Sequence, residues 1–260
     1  MNKKIFLIIL TAVTIFCIVF GTFHHLGIST KGYSSVSSSI RNGLRHGRFH
    51  FHFYDYDDDD DDQEDFDFED DDPKTFDSET ISEFRELDVN LKVGGIKIER
   101  GNKWEIKSKY SNSLLKPVYT LKNGKLTITQ SGNNKKAVGN SKCELVITVP
   151  FGTELEKLSM DVNVGAVELS GFDIKEGSIE TNVGAIEITN VGFDELDLDS
   201  DVGAISIEVV GQLSDYNISI KSDLGGIVVD EKNEKRHYTQ KGSTNKRLRI
   251  ETNIGGIEVK

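Results

Sequence analysis

The chain has 260 residues, with 43 acids against 31 lysines and arginines, 24 glycines, three prolines and two cysteines. That length can bury a sizeable core in one or two domains, and two cysteines in unlike surroundings, Cys17 and Cys143, exclude a disulfide-stapled miniprotein. The net charge of −12 is local: Asp55 to Asp72 holds 14 acids and no base, and taking these away leaves the rest at +2. No nucleic acid is expected as a partner, since that would need a basic stripe to displace counterions.

Met1 to Lys4 precede an uncharged run of 19 residues, Ile5 to Phe23. At a rise of about 1.5 Å per residue it approaches the roughly 30 Å of a bilayer core. A cleaved signal peptide is the competing reading, but apolar signal cores run about 7–15 residues. No Ala-x-Ala follows the run, and Phe16 stands before Cys17 where a lipoprotein needs a small residue. The expectation is an uncleaved single-pass anchor over 5–23, with residues 1–4 cytoplasmic and the C-terminal part extracytoplasmic at the cell membrane. Cys143 then has no partner outside the span, and its strand-like surroundings, Cys143-Glu-Leu-Val-Ile-Thr-Val, predict a buried small hydrophobe.

Residues 24–79 read as a disordered linker, first basic with His46, His50 and His52, then dense in aspartate. Little aliphatic surface and much like charge cannot offset chain ordering. Imidazoles beside carboxylates invite a metal, yet neither an EF-hand spacing nor an organising glycine turn occurs. A solvated spacer is expected, with no metal and no cofactor.

From about residue 80 one pattern recurs six times: Leu87 to Ile98, Leu158 to Leu169, Ser178 to Ile188, Leu196 to Ile207, Ile218 to Val229 and Leu248 to Val259. Its central aliphatic residue falls at 164, 183 and 202, a spacing of 19, then at 224 and 254. A fixed period near 20 residues marks a solenoid. Alternation in Leu158, Met160, Val162, Val164 predicts a strand with one buried face. Glycine followed by a second small residue then permits a bend, at Gly94, Gly165, Gly184, Gly203, Gly225 and Gly255, before a second short strand and a return such as Ser170-Gly171-Phe172. Asn163, Asn182, Asp201, Asp223 and Asn253 form a polar column beside the bend, a common turn preference. Between the first two copies, strands are expected around 104–106, 119–121, 126–128 and 145–149, with hairpin signals at Asn123-Gly124 and Ser131-Gly-Asn-Asn. The fold class is therefore all-β, a β-solenoid or parallel β-helix-like domain over 80–260, behind one membrane helix and a linker.

Ile147-Thr-Val149-Pro150-Phe-Gly152, leading into Val164-Gly-Ala-Val-Glu-Leu and the later Val-Gly-x-Ile-x-Ile units, resembles the bacterial "putative adhesin" family of β-strand-repeat proteins, LiaG-like envelope proteins included. The resemblance covers roughly 80–260. It implies an N-terminal membrane segment, a β-repeat domain and an envelope location, and carries over no catalytic residues.

An enzyme is not expected. No histidine lies between Phe53 and Arg236, and no nucleophile elbow, zinc-protease helix or phosphate loop occurs. The expected function is a membrane-anchored, adhesin-like binding module whose partner is an envelope protein or cell-wall polymer; the alternative is an accessory of an envelope-stress signalling system acting through a membrane partner. A candidate contact patch is basic: Lys232, Lys235, Arg236, Lys241, Lys246, Arg247 and Arg249. The sixth copy runs to the penultimate residue, so it is expected to end the stack, either covered by the basic 230–247 loop or open to weak self-association.

Overall fold

The structure, a computed structural model, describes residues 75–130 and 142–260. The expected anchor, the linker up to 74 and the turn at 131–134 lie outside these residues. Sixteen strands follow in chain order. They are β1 (Thr75–Thr80), β2 (Glu86–Val93), β3 (Gly95–Gly101), β4 (Glu105–Tyr110), β5 (Pro117–Lys122), β6 (Lys125–Gln130), β7 (Cys143–Pro150), β8 (Glu154–Ser170), β9 (Asp173–Val202), β10 (Ile205–Val209), β11 (Asn217–Leu224), β12 (Ile227–Val229), β13 (Lys232–Glu234), β14 (His237–Gln240), β15 (Arg247–Ile254) and β16 (Ile257–Val259). No α-helix occurs among the described residues. The strand expectations around 104, 119, 126 and 145 fall in β4 to β7, and Asn123-Gly124, with φ of 52° and 78°, makes the two-residue turn between paired Lys122 and Lys125. The sheet starts at Thr75 rather than 80, because β1 pairs antiparallel with β4 from Thr75↔Tyr110 onward.

The copies stack as parallel rungs in register. Leu87 lies beside Leu158 and Val93 beside Val164, and Val164 beside Val183. Each rung contributes to two faces joined at the glycine bend, where β8 and β9 continue from one face to the other without interruption. One face runs β5-β6-β2-β8-β9-β15-β11-β14 and the other β1-β4-β7-β3-β8-β9-β10-β16-β12-β13. Inward residues of both faces meet in one core, for example Leu87, Val89 and Leu91 against Ile96 and Ile98, all at most 1 % exposed. Burial of such aliphatics is the main stabilising term, about 1.5–3 kcal/mol each.

The order of rungs departs from the sequence. β15 pairs with β9 on one side (Leu248↔Leu196) and with β11 on the other (Ile218↔Leu248). β16 lies likewise between β10 and β12. The sixth copy therefore sits between the fourth and the fifth, and the expectation that it ends the stack is corrected. The end rung is the fifth copy, and its edges are covered: β13 pairs antiparallel with β12, and β14 with β11. The basic loop does fold back over an edge, although not that of the sixth copy.

Outward charges explain the insertion. Arg247 bonds Glu195 and lies 3.7 Å from Asp197. Asn253 donates to Asp201 at 2.8 Å and separates it from Asp223 on the next rung. If the fifth copy docked directly on the fourth, Asp201 and Asp223 would be neighbours, an unfavourable cross-strand pair. The chain also provides the reach: the central aliphatics of copies four and five are 22 residues apart instead of 19. The surplus forms a 3-10 turn, Leu213–Asp215, followed by fully buried Tyr216, whose ring lies 5.0 Å from Phe193 and whose hydroxyl donates to Val210 O at 2.7 Å.

Two kinds of corner shape each rung. At the return, Gly152, Gly171 and Gly211 have φ of 79°, 79° and 94°, and Asn190 has 53°, the left-handed region in which glycine and asparagine are favoured. At the main bend space is the constraint. A Cβ on Gly165, Gly184, Gly203, Gly255 or Gly225 would lie 1.5–1.8 Å from the carbonyl oxygen of the stacked glycine next to it. Unusual φ is not their reason; among the six bend glycines only Gly94 has positive φ, at 145°.

Candidate functional site

The bend makes a strip along the whole stack. Val164, Val183, Val202, Leu224 and Ile254 are 39–49 % exposed, and they supply five of the eight exposed large hydrophobics among the described residues. The period-two expectation placed Val164 in the core; instead the chain turns at the following glycine before that side chain can reach the interior. Stacked strands are about 4.8 Å apart, so these side chains form a continuous aliphatic ridge. Single exposed apolar residues are ordinary, whereas contiguous ones mark interaction surfaces.

Beside the ridge runs the polar column expected from the repeats. Asn182 donates to Asn163 at 2.5 Å and Asn253 to Asp201 at 2.8 Å. Two residues earlier stand Asp161, Glu180, Asp199 and Glu251 in four of these copies and Lys221, 3.2 Å from Asp223, in the fifth, with Asn90 donating to Asp161 at 3.1 Å. Partial burial pushes the Asp199 carboxyl up, and the charges of Glu251 and Asp201 add to this. Behind the column, inside the bend, hydroxyls replace the aliphatics of the first rungs: Thr181 donates to Ser200 at 3.0 Å and Ser222 to Gly255 O at 3.2 Å. This inner hydroxyl column was readable as Thr or Ser two residues before the central aliphatic, but the alternation alone assigned it no role.

A concavity of about 260 Å³ lies where β1 and β5 approach at the first end of the stack, lined by Asp77, Glu79, Ile106, Lys116, Tyr119 and Leu145 among others. Its rim is already paired. Lys116 lies 2.9 Å from Asp77, Tyr110 donates to Asp77 at 3.0 Å, and Tyr119 donates to Glu79. The bonds from Lys116 and Tyr110 hold the Asp77 carboxyl below its usual range.

The bend glycines all line the strip, stacked in the order 94, 165, 184, 203, 255, 225. The basic residues are carried by several elements. Arg247 and Arg249 lie on the inserted rung, paired with Glu195 and, at 2.9 Å, with Glu251. Lys232 is on the capping strand β13, 3.1 Å from Asp230, while Lys235 and Arg236 lie exposed between β13 and β14. Lys241 is exposed after β14, and Lys246 sits over the Tyr216 ring at 5.3 Å. Cys143 is buried, its thiol pushed up to about 11 by that burial, which suppresses the nucleophilic thiolate. Gln130, 4 % exposed, was missed by sequence reasoning: it accepts from Lys92 and Val93 N–H and donates to Val93 O and Leu115 O, closing the bend of the first rung.

A stack of parallel rungs, bent at space-limited glycines, closed at both ends by antiparallel strands and carrying an aliphatic ridge beside a polar ladder, defines a solenoid-like β-repeat protein. The chain belongs to the Toastrack DUF4097 family, whose profile matches residues 84–223 and again 152–260. Among solved structures, a "putative cell adhesion protein" from Clostridium sporogenes is similar at 18% identity and a TM-score of 0.57, over 72% of this chain and 99% of that one. A "putative adhesin" from Bacteroides fragilis is 14% identical with a TM-score of 0.31, over 72% of this chain and 97% of its own. The first of these likenesses speaks to the fold alone. No curated protein matches the chain.

Proposed function

We propose that the chain is a non-enzymatic binding module of the cell envelope, anchored through residues 5–23, held off the membrane by the linker at 24–74, and contacting an envelope polymer or protein along its bend. The observation that carries this reading is the ridge of Val164, Val183, Val202, Ile254 and Leu224 in register beside the Asn and Asp ladder. A surface repeated at every rung suits a linear partner, because each added rung repeats the same small contact. The adhesion wording attached to the Clostridium sporogenes structure is consistent with this reading.

The test is binding of labelled 75–260 to isolated envelopes, comparing wild type with a Val183→Asp/Val202→Asp variant. Saturable binding that the variant loses supports the reading, and digestion of the envelopes with protease or wall hydrolase assigns the partner. Equal binding by both proteins, or none by wild type, refutes it.

A further inference from the structure

The insertion of the sixth copy makes a place in the stack that other parts of the fold hold open. Copies four and five stand two strand spacings apart, about 9.6 Å. The three surplus residues, the 3-10 turn and buried Tyr216 fix that separation from the return side. Both walls offer the hydrogen-bonding edges of parallel strands, Glu195 to Val202 on one side and Asn217 to Leu224 on the other. The outward groups favour this occupant: Glu195 and Asp197 face Arg247, Asn253 donates to Asp201, and it stands between Asp201 and Asp223, which Lys221 pairs at 3.2 Å.

The mouth of the place is specific as well. Asp215 accepts from Ser243 at 2.8 Å and from Thr244 at 2.5 Å, and Asn217 donates to Thr244 O and Lys246 O. The occupying segment, residues 247–260, is joined to the capping strand β14 only by residues 241–246. Fully extended, those six residues span about 20 Å.

We propose that the gap between copies four and five is a strand-acceptor site, and that residues 247–260 of a second copy of this chain fill it, giving a strand-exchanged dimer. Each contact of the inserted rung is available to the same segment of another copy, so exchange costs only the linker's own bonds to Ser214, Asp215 and Asn217; this is why element swapping is a low-cost route to dimers. A strand of different outward charge is disfavoured, because it would leave Glu195 and Asp197 without their arginine.

The test uses the full-length chain in two tagged forms, both with Cys17→Ser, one carrying Asp201→Cys and the other Asn253→Cys, co-expressed in membranes. These positions are side by side on paired strands, within reach of a disulfide. A disulfide linking the two tags is expected. A third chain carrying both cysteines calibrates the pair: if it closes its own disulfide while the mixed pair forms none, the segment stays within its own copy and the proposal fails. A second measurement empties the site. The chain ending at residue 246 should take up a 247–260 peptide one to one, and a peptide carrying Arg247→Glu and Arg249→Glu should bind about tenfold more weakly. No uptake by a truncated chain that keeps its strand spectrum overturns the proposal. If truncation prevents folding, the mixed-disulfide experiment alone decides.

Discussion

Replacing Gly184 by alanine adds a single methyl group at the most crowded part of the bend. Its Cβ would lie 1.5 Å from Gly165 O and 2.7 Å from the carbonyl carbon. Ordinary contact begins near 3.4 Å, so the two rungs must part locally by about 2 Å, enough to lose one or two ladder bonds at about 1 kcal/mol each. Overpacking strain adds roughly 1–3 kcal/mol, for a total of about 2–5 kcal/mol. In a domain of this size each kcal/mol moves Tm by about 2–4 °C, so a fall on the order of 10 °C is expected in thermal unfolding of 75–260. Gly226→Ala is the control: it is one residue further along the equivalent bend, and a Cβ there meets nothing within 4 Å. It should stay within about 0.5 kcal/mol of wild type. If Gly184→Ala melts within about 2 °C of wild type, close approach of stacked carbonyls is not what keeps glycine at the bend.

Tyr216→Ala should cost about 3–5 kcal/mol in urea unfolding through the cavity left beside Phe193, and Tyr216→Phe about 1 kcal/mol for the lost bond to Val210 O; equal costs would mean the ring does not fill the space between copies four and five. The Asp199 carboxyl is raised in the folded state, so the folded protein binds the proton more readily than the unfolded chain and stability falls as pH rises through that window. Asp199→Asn should therefore stabilise at pH 7, with the gain disappearing below the ordinary aspartate range; the same gain at pH 3 as at pH 7 would contradict this. With its thiol near 11, Cys143 should resist a thiol reagent at pH 8 and react fully in denaturant; fast labelling of the folded protein would place it at the surface.

The rungs were legible because each copy carries both of its structural instructions, period-two alternation and a glycine followed by a small residue. The return corners were legible for the same reason at Gly171, where φ is 79°. The order of the rungs was not. Leu196, Leu248 and Ile218 present the same apolar pattern inward, so any two copies are acceptable neighbours to the core. Only outward groups such as Arg247 and Asn253, together with the three surplus residues before Tyr216, distinguish them, and those signals have meaning only once the stack exists. The ridge was misassigned because alternation treats Val164 as the next inward position, whereas the close glycine stack turns the backbone first. At Thr75 the sheet begins in a sequence, Thr-Phe-Asp-Ser-Glu-Thr, that lacks the alternation of the rungs.

Because the sixth copy follows the fifth in sequence but lies between the fourth and fifth in space, the stack cannot close until residues 247–260 have been made. The first four copies can stack as they emerge, each on its predecessor. The fifth then appears with its proper neighbour still unsynthesised, and the place beside the fourth stays unfilled until residues 247–260 follow. Open strand edges in that interval invite pairing with other chains. Asp201 and Asp223, which would be neighbours if the fifth copy docked directly on the fourth, disfavour that closure and leave the place for residues 247–260.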